Sequence, residues 1–330
     1  MPTKIRPSQI ISSHEIKIAL CNVKLHLRST PLVRSRFMSK LTGAEVYLKL
    51  ECLQPTNSFK VRGAINALSQ LDEASLSRGV VTASGGNHGL AIAYAGKILK
   101  AGATIFLPEN TPAIKVEAIR DLGAEIVMTG AAWDEANKEA IEFTAAHEMT
   151  YIHPFDNQQV MAGQGTIVPE IIEQQINPDL IVASIGGGGL TSGIASATRH
   201  YLPKTKVKGV ETVGADCMNQ SIKANRLVEL PSISSIADSL GAKRSAEKQF
   251  NIIKERVNQL ALVEDRETVE DILSSLSHDK LLLEPAAACC LSALRLKRLS
   301  FEPGSTIVVI ACGGNISLNQ LLDWKDRFVL

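Results

Sequence analysis

The chain has 330 residues, 45% of them hydrophobic and 21% charged, and its 35 basic and 34 acidic side chains nearly cancel to a formal charge of +1. This much apolar material excludes a disordered polypeptide, and the length allows two domains with cores of their own. No global field points to nucleic acid or to an acidic membrane, so the expected partner is a small molecule, with no nucleic acid and no membrane.

Segment 1–9 is polar, holds two prolines and lacks the apolar core of a secretory signal, and no later apolar run is long enough to span a bilayer. A soluble, cytoplasmic protein is expected. Six cysteines (Cys21, Cys52, Cys217, Cys289, Cys290 and Cys312) show no CxxC spacing, and the seven histidines show no HExxH pattern. Neither a disulfide framework nor a zinc hydrolase follows from that.

The first strand-like stretch, residues 46–51, leads into Gln54-Pro55-Thr56-Asn57-Ser58-Phe59-Lys60-Val61-Arg62-Gly63-Ala64. A lysine that follows a turn and is flanked by Phe59 and small residues can have its amine held and partly desolvated, as Schiff-base chemistry requires. Taken alone it would read as an ordinary solvated lysine. From residue 79 to about 202, short β-branched runs (80–84, 104–107, 125–128, 150–153, 180–185) alternate with helical patterns (89–100, 113–122, 133–147). The alternation continues with strands at 207–211, 259–264 and 306–311 and helices near 215–224, 267–277 and 285–296. Such alternation predicts an α/β protein of two domains, with parallel-rich twisted sheets covered by helices. Segment 230–244, with a proline and many serines, reads as a surface loop.

In open α/β sheets ligands sit at the carboxyl ends of strands, and three such junctions carry chemistry. At Ser84-Gly85-Gly86-Asn87-His88-Gly89 the glycines allow close backbone approach, and the amides at a helix start suit a carboxylate. At Gly186-Gly187-Gly188-Gly189-Leu190-Thr191 the amides can wrap a phosphate. The third junction is Cys312-Gly313-Gly314-Asn315. Any one of them alone would read as a tight turn. The four-glycine loop also has a rival reading, because Gly187, Gly189 and Gly193 approximate a dinucleotide fingerprint with Glu211 as the ribose-binding acid. The strict G-x-G-x-x-G fails at Thr191 and Ser192, and a nicotinamide enzyme leaves Lys60 and the third junction without a role.

Ser58-Phe59-Lys60, Arg62-Gly63-Ala64, Ser84-Gly85-Gly86-Asn87-His88, the glycine loop, Glu284-Pro285 and Cys312-Gly313-Gly314-Asn315 together resemble, in this order, the fold type II pyridoxal-phosphate enzymes. These share the fold of the tryptophan synthase β chain, and the nearest branch is the serine/threonine dehydratases with their relative serine racemase. The resemblance runs from Thr30-Pro31-Leu32 to Asn315. It implies a large cofactor-binding domain of residues 1–76 and 152–330 and a small substrate-clamping domain of residues 77–151. It further implies that Lys60 forms the Schiff-base linkage to pyridoxal 5'-phosphate, with Phe59 packed against the ring and Asn87 on its phenolic oxygen. Gly186, Gly187, Gly188, Gly189 and Leu190 would hold the phosphate, and Cys312 would face the pyridine nitrogen. Ser84, Gly85, Asn87 and His88 would grip the substrate carboxylate.

The implied reaction is loss of the β-hydroxyl and amino group of L-threonine or L-serine, giving a 2-oxo acid and ammonium. A neutral Cys312 thiol cannot keep the ring nitrogen protonated, which favours prompt loss of the β-group. Serine racemase carries a second serine where Gly85 stands, so dehydration with little racemisation is expected. Glu211 and the carbonyl of Ala215 match a divalent-cation site in some relatives, but Cys217 stands where an acidic ligand is needed; Asp216 could substitute, and a site for hard cations here is weakened. Asn57 and Ser239 replace glycines of the pattern, and asparagine tolerates the left-handed backbone such a turn demands. The chain stops soon after the last motif, so no isoleucine-sensitive regulatory domain is expected, and a homodimer is the family expectation. The alternatives are a racemase or a β-replacement synthase of the same fold, a nicotinamide-dependent oxidoreductase, and a catalytically silent small-molecule-binding regulator.

Overall fold

Among the described residues ten strands divide between two sheets, and every sheet neighbour but one is parallel. The computed structural model describes residues 10–330, and the polar segment 1–9 lies outside them. The strands are β1 (Leu32–Arg34), β2 (Glu45–Lys49), β3 (Val80–Ala83), β4 (Ala103–Leu107), β5 (Glu125–Met128), β6 (Thr150–Tyr151), β7 (Leu180–Ser184), β8 (Lys206–Thr212), β9 (Gln259–Val263) and β10 (Thr306–Ile310). A six-stranded sheet has the order β1-β2-β10-β7-β8-β9, and a four-stranded sheet the order β5-β4-β3-β6. Only β1 runs antiparallel, against β2.

The sequences of the central strands explain their places. Leu180-Ile181-Val182-Ala183-Ser184 and Ala103-Thr104-Ile105-Phe106-Leu107 are buried at every position, as strands covered by helices on both faces must be. β5 has exposed Glu125 and Met128 and lies at an edge, while β1 keeps the other sheet's edge to three residues. The nine strands anticipated from the sequence are all present, with ends shifted by up to two residues. β1 and the helices Ser13–His26, Arg36–Thr42, Lys60–Ser69, Glu73–Arg78, Gln158–Gly165, Ile167–Glu173, Glu247–Arg256 and Leu318–Phe328 were not anticipated.

Segment 230–244 is irregular apart from a short helical turn at Asp238–Leu240, but it is more than a surface loop. Leu230, Ala237 and Leu240 are buried, and Leu240 reaches the cleft described below.

The helix Lys60–Ser69 is enclosed along most of its length by the helices Asn87–Leu99 and Gln158–Gly165. The approach is close enough that a Cβ on Gly163 would lie 2.6 Å from the Arg62 carbonyl oxygen. A buried ion cluster sits at its first turn. Arg62 donates to both oxygens of Glu51 (2.7 and 2.8 Å) and of Glu170 (2.6 and 2.7 Å), and Lys49 donates to Glu170 (2.8 Å) and to the Thr30 carbonyl (2.7 Å). Stripping four charges of water is costly, and the cluster stands because nearly every donor has a carboxylate or carbonyl partner. It ties the end of β2 and the helix Ile167–Glu173 to the turn of helix that begins at Lys60.

Candidate active site

The turn before Lys60 is sewn to the loop after β10. Phe59 N–H donates to the Cys312 carbonyl (2.9 Å), Gly314 N–H donates to the Asn57 carbonyl (3.0 Å), and Ser58 bridges Gly313. Asn57 turns the chain with φ of 53°, the left-handed conformation expected of it. Lys60 is thereby delivered as the first residue of its helix, at the floor of a cleft between the two sheets' segments.

Among the described residues, the Lys60 amine has one hydrogen-bond partner, the Pro154 carbonyl at 2.8 Å, and it lies 5.4 Å from the centroid of the Phe59 ring. Burial without a paired carboxylate lowers its pKa from the usual lysine value to about 8. A usable fraction of neutral amine therefore exists near neutral pH.

Facing it, the glycine loop follows β7 and opens the helix Gly189–Tyr201. A Cβ on Gly187 would fall 2.3 Å from the Phe155 ring, and one on Gly186 2.9 Å from the Leu240 backbone, while Gly188 adopts φ of 93°. No other residue type fits that path. The result is a row of backbone N–H groups at a helix N-terminus, without side chains in the way, which is what a phosphate requires. The Cys312 thiol lies 3.5 Å from Ser184 Oγ and is fully enclosed, so burial raises its pKa and keeps it neutral. A phosphate cradle, a low-pKa lysine and a neutral thiol in one cleft fit pyridoxal phosphate.

The cleft brings together Phe59, Lys60, Asn87, Gly186, Gly187, Gly188, Gly189, Leu190 and Cys312, residues the sequence pointed to. Ser84, Gly85 and His88 do not line it. His88 Nε2 lies 3.0 Å from the Ile152 carbonyl, so that nitrogen carries the proton, and burial lowers the imidazole pKa to about 3. The ring is thus a neutral internal brace, and what residues 84–88 can offer a carboxylate is their amides and the Ser84 hydroxyl. Asn87 Nδ2 is engaged by Glu284 (2.9 and 3.0 Å) and its Oδ1 by Asn315 (2.6 Å).

Sequence reasoning gave no role to Pro154, Phe155, Ser184, Leu240, Ala286 or Glu284, and missed that the first holds the lysine while the others line the cleft. Pro154 and Phe155 follow the end of β6, a strand terminus without the glycines that mark the other junctions.

Glu211 is buried, which raises its pKa to about 8, and its two oxygens accept the N–H groups of Met218 (2.9 Å) and Asn219 (2.7 Å). It caps the helix Cys217–Ala224, beside Ala215 whose N–H bonds the Thr212 carbonyl. The same capping takes up the acid that a dinucleotide reading needs for ribose. Among the described residues no group of three His, Cys, Asp or Glu side chains stands close enough to hold a metal ion.

Residues 23–313 match the model of the family described as pyridoxal-phosphate dependent enzyme. The chain belongs to that family, and its cofactor is pyridoxal 5'-phosphate. It is 38% identical to an L-threonine ammonia-lyase of Geobacter sulfurreducens, over 91% of this chain and 74% of that one. Among solved structures it resembles maize serine racemase, with a TM-score of 0.90 and 31% identity over 97% of this chain and 98% of the other. It also resembles threonine deaminase isoform 2 of Solanum lycopersicum, with a TM-score of 0.87 and 30% identity over 99% and 93% of the two chains.

Proposed function

We propose that this chain is an ammonia-lyase that dehydrates and deaminates a 3-hydroxy amino acid, converting L-threonine to 2-oxobutanoate or L-serine to pyruvate, with ammonium as the second product. The observation that carries this reading is the Lys60 amine, held by one carbonyl and no carboxylate, opposite the glycine cradle and beside a neutral thiol. The names of the threonine ammonia-lyase and threonine deaminase relatives support it.

When bound, pyridoxal phosphate draws electrons from the carbon bearing the amino group and so acidifies its hydrogen. Lys60 is the group placed to take that proton, since its lowered pKa leaves part of it neutral while it stays basic enough to hold what it takes. Gly186 to Gly189 and Leu190 would secure the phosphate end, and Phe59 would flank the ring. The amides of residues 84–88 bind the substrate carboxylate, with Gly85 packed toward Thr111, where a Cβ would stand 3.0 Å from the Thr111 methyl. Cys312 would face the ring nitrogen as a neutral thiol and offer it no charge, which would favour departure of the β-hydroxyl. Serine racemase shares the fold, but residue 85 here has no hydroxyl to return a proton on the face opposite Lys60.

Residues 77–151, which contain the four-stranded sheet, form the small substrate-clamping domain, and residues 1–76 and 152–330 the large one. The enzyme works as a cytoplasmic homodimer without a bound divalent cation at Glu211. The test is the visible absorbance of the purified protein and of Lys60→Ala, followed by addition of L-threonine and L-serine. A cofactor band lost on substitution, with 2-oxo acid formed by the wild type alone, is the expected result. A wild-type protein that forms D-serine from L-serine as fast as pyruvate would replace this reading with the racemase.

A further inference from the structure

Glu284 has no part in the reaction just described, although it is the most enclosed acid of the cleft wall. It precedes Pro285 at the start of the helix Pro285–Arg295 and is 3% exposed. Among the described residues no lysine or arginine lies within ion-pair distance of it. It gathers neutral donors from three separate stretches instead. Asn87 Nδ2 lies 2.9 and 3.0 Å from its two oxygens, Ser239 Oγ donates at 3.0 Å, and the Asn315 N–H donates at 3.3 Å. Asn315 Nδ2 then closes the ring by donating to Asn87 Oδ1 at 2.6 Å.

Both ends of the Asn87 amide are therefore fixed, its nitrogen on Glu284 and its oxygen under Asn315. Asn87 begins the helix that follows β3 of the four-stranded sheet, whereas Glu284, Ser239 and Asn315 lie in segments built around the six-stranded sheet. The carboxyl group is a point where the two sheets' segments are pinned together at the cleft. Its place is reserved by Gly313, where a Cβ would lie 2.6 Å from Glu284 Oε1. What the site needs is two acceptor oxygens and not merely a shape of this size. In an amide of the same outline, one oxygen becomes an NH2 that would face the Asn87 or Asn315 N–H, donor against donor.

We propose that Glu284 is a positioning residue acting through Asn87: its two oxygens orient the Asn87 amide and hold the loop 84–88 against the floor that carries the cofactor. Only the kinetic readout of this proposal rests on the lyase reading above.

The test compares wild type, Glu284→Gln, Asn87→Ala and the double variant as holoenzymes, by hydrogen exchange of the peptide covering residues 84–88, kcat and KM for L-threonine, cofactor absorbance and Tm. Glu284→Gln should keep its absorbance, lose only several degrees of Tm, exchange faster at 84–88, and lose ~10- to 100-fold in kcat/KM. Added to Asn87→Ala, the same substitution should change exchange and kcat/KM by no more than about 2-fold, because the partner it acts through is already gone. Losses that multiply in full in the double variant overturn the proposal, and so does unchanged exchange in Glu284→Gln. Should Glu284→Gln fail to fold, Ser239→Ala removes one donor from the same carboxylate and should speed exchange at 84–88 by less. An equal rate in that variant would also count against the proposal. If wild type turned over no amino acid, the lyase reading would fall while the exchange comparison still decided the role of Glu284.

Discussion

Lys49 is fully buried and Lys60 half-buried, and the two lysines are treated in opposite ways. Lys49, at the end of β2, spends its three donors on the Thr30 carbonyl (2.7 Å), Glu170 (2.8 Å) and Gln174 (3.2 Å). Lys60, eleven residues on, has the Pro154 carbonyl alone. Burial lowers the pKa of both amines, and for Lys49 the adjacent Glu170 and Glu51 push back. A buried ammonium with a full set of acceptors and a carboxylate serves as a fixed part of the structure. One with a single neutral acceptor is held in place and yet free to leave, which is what a covalent and proton-transferring role demands.

Removing each amine's function should separate the two sharply. Lys60→Ala is expected to lower turnover of L-threonine by ~10³-fold or more. Its Tm should stay within about 3 °C of wild type in a scan of the cofactor-free proteins, because little beyond one hydrogen bond is lost. On the other side of the comparison, Glu170→Gln leaves Arg62 and Lys49 short of a buried counter-charge and is expected to cost about 3–5 kcal/mol in urea unfolding. Glu170 also carries a pH signature. Its pKa is held down at about 2 by Arg62 and Lys49 against the cost of burial. The stability it contributes is therefore present above the ordinary glutamate value and is lost as pH falls toward 2, since the unfolded chain takes up the proton first. Unfolding curves across pH 2 to 4.5 should steepen toward acid in the wild type and be flatter in Glu170→Gln.

A third difference concerns rates and is smaller. With a pKa of about 8, Lys60 becomes a nucleophile as pH rises through that value. The rate at which the cofactor-free protein takes up pyridoxal phosphate should rise with a midpoint near pH 8 and then level. A midpoint near 10, the value of a solvated lysine, would show that the amine is not held as described.

Lys60 and the glycine loop were legible in the sequence because their signals are local. Each follows a strand, and four successive glycines or a lysine between Phe59 and a small-residue run can be read without knowing what lies opposite. The ion cluster was not legible, because Lys49 and Glu170 are far apart in the chain and neither is unusual where it stands. Ala286 and Ser184 line the cleft through their positions alone, and as residue types they resemble any other small residue of a helix or strand. The helix that begins at Lys60 escaped for a further reason. Val61, Ala64, Ile65 and Leu68 do keep helical spacing, but the run is only ten residues long and Gly63 interrupts it, which weakens the signal. β1, with three residues, is too short to show any period.

The smallest effect concerns a third lysine, Lys24 of the helix Ser13–His26, whose partner lies on the same helix as Glu170. Glu173, three residues beyond Glu170, pairs with Lys24 at 2.6 Å, a shorter contact than the 2.8 Å between Glu170 and Lys49. Distance alone would rank the Lys24 pair as the stronger. Its partners are 48% and 47% exposed, however, against 0% and 1% for the buried pair. Water already solvates both charges, salt screens them, and holding two long side chains together costs entropy, so Lys24→Met should change the unfolding free energy by less than about 1 kcal/mol. Adding 0.5 M salt should shrink even that difference between wild type and variant while leaving the cost of Glu170→Gln nearly unchanged. If Lys24→Met proved as costly as Glu170→Gln, contact length rather than enclosure would be governing these pairs, and the contrast drawn between Lys49 and Lys60 would lose its physical basis.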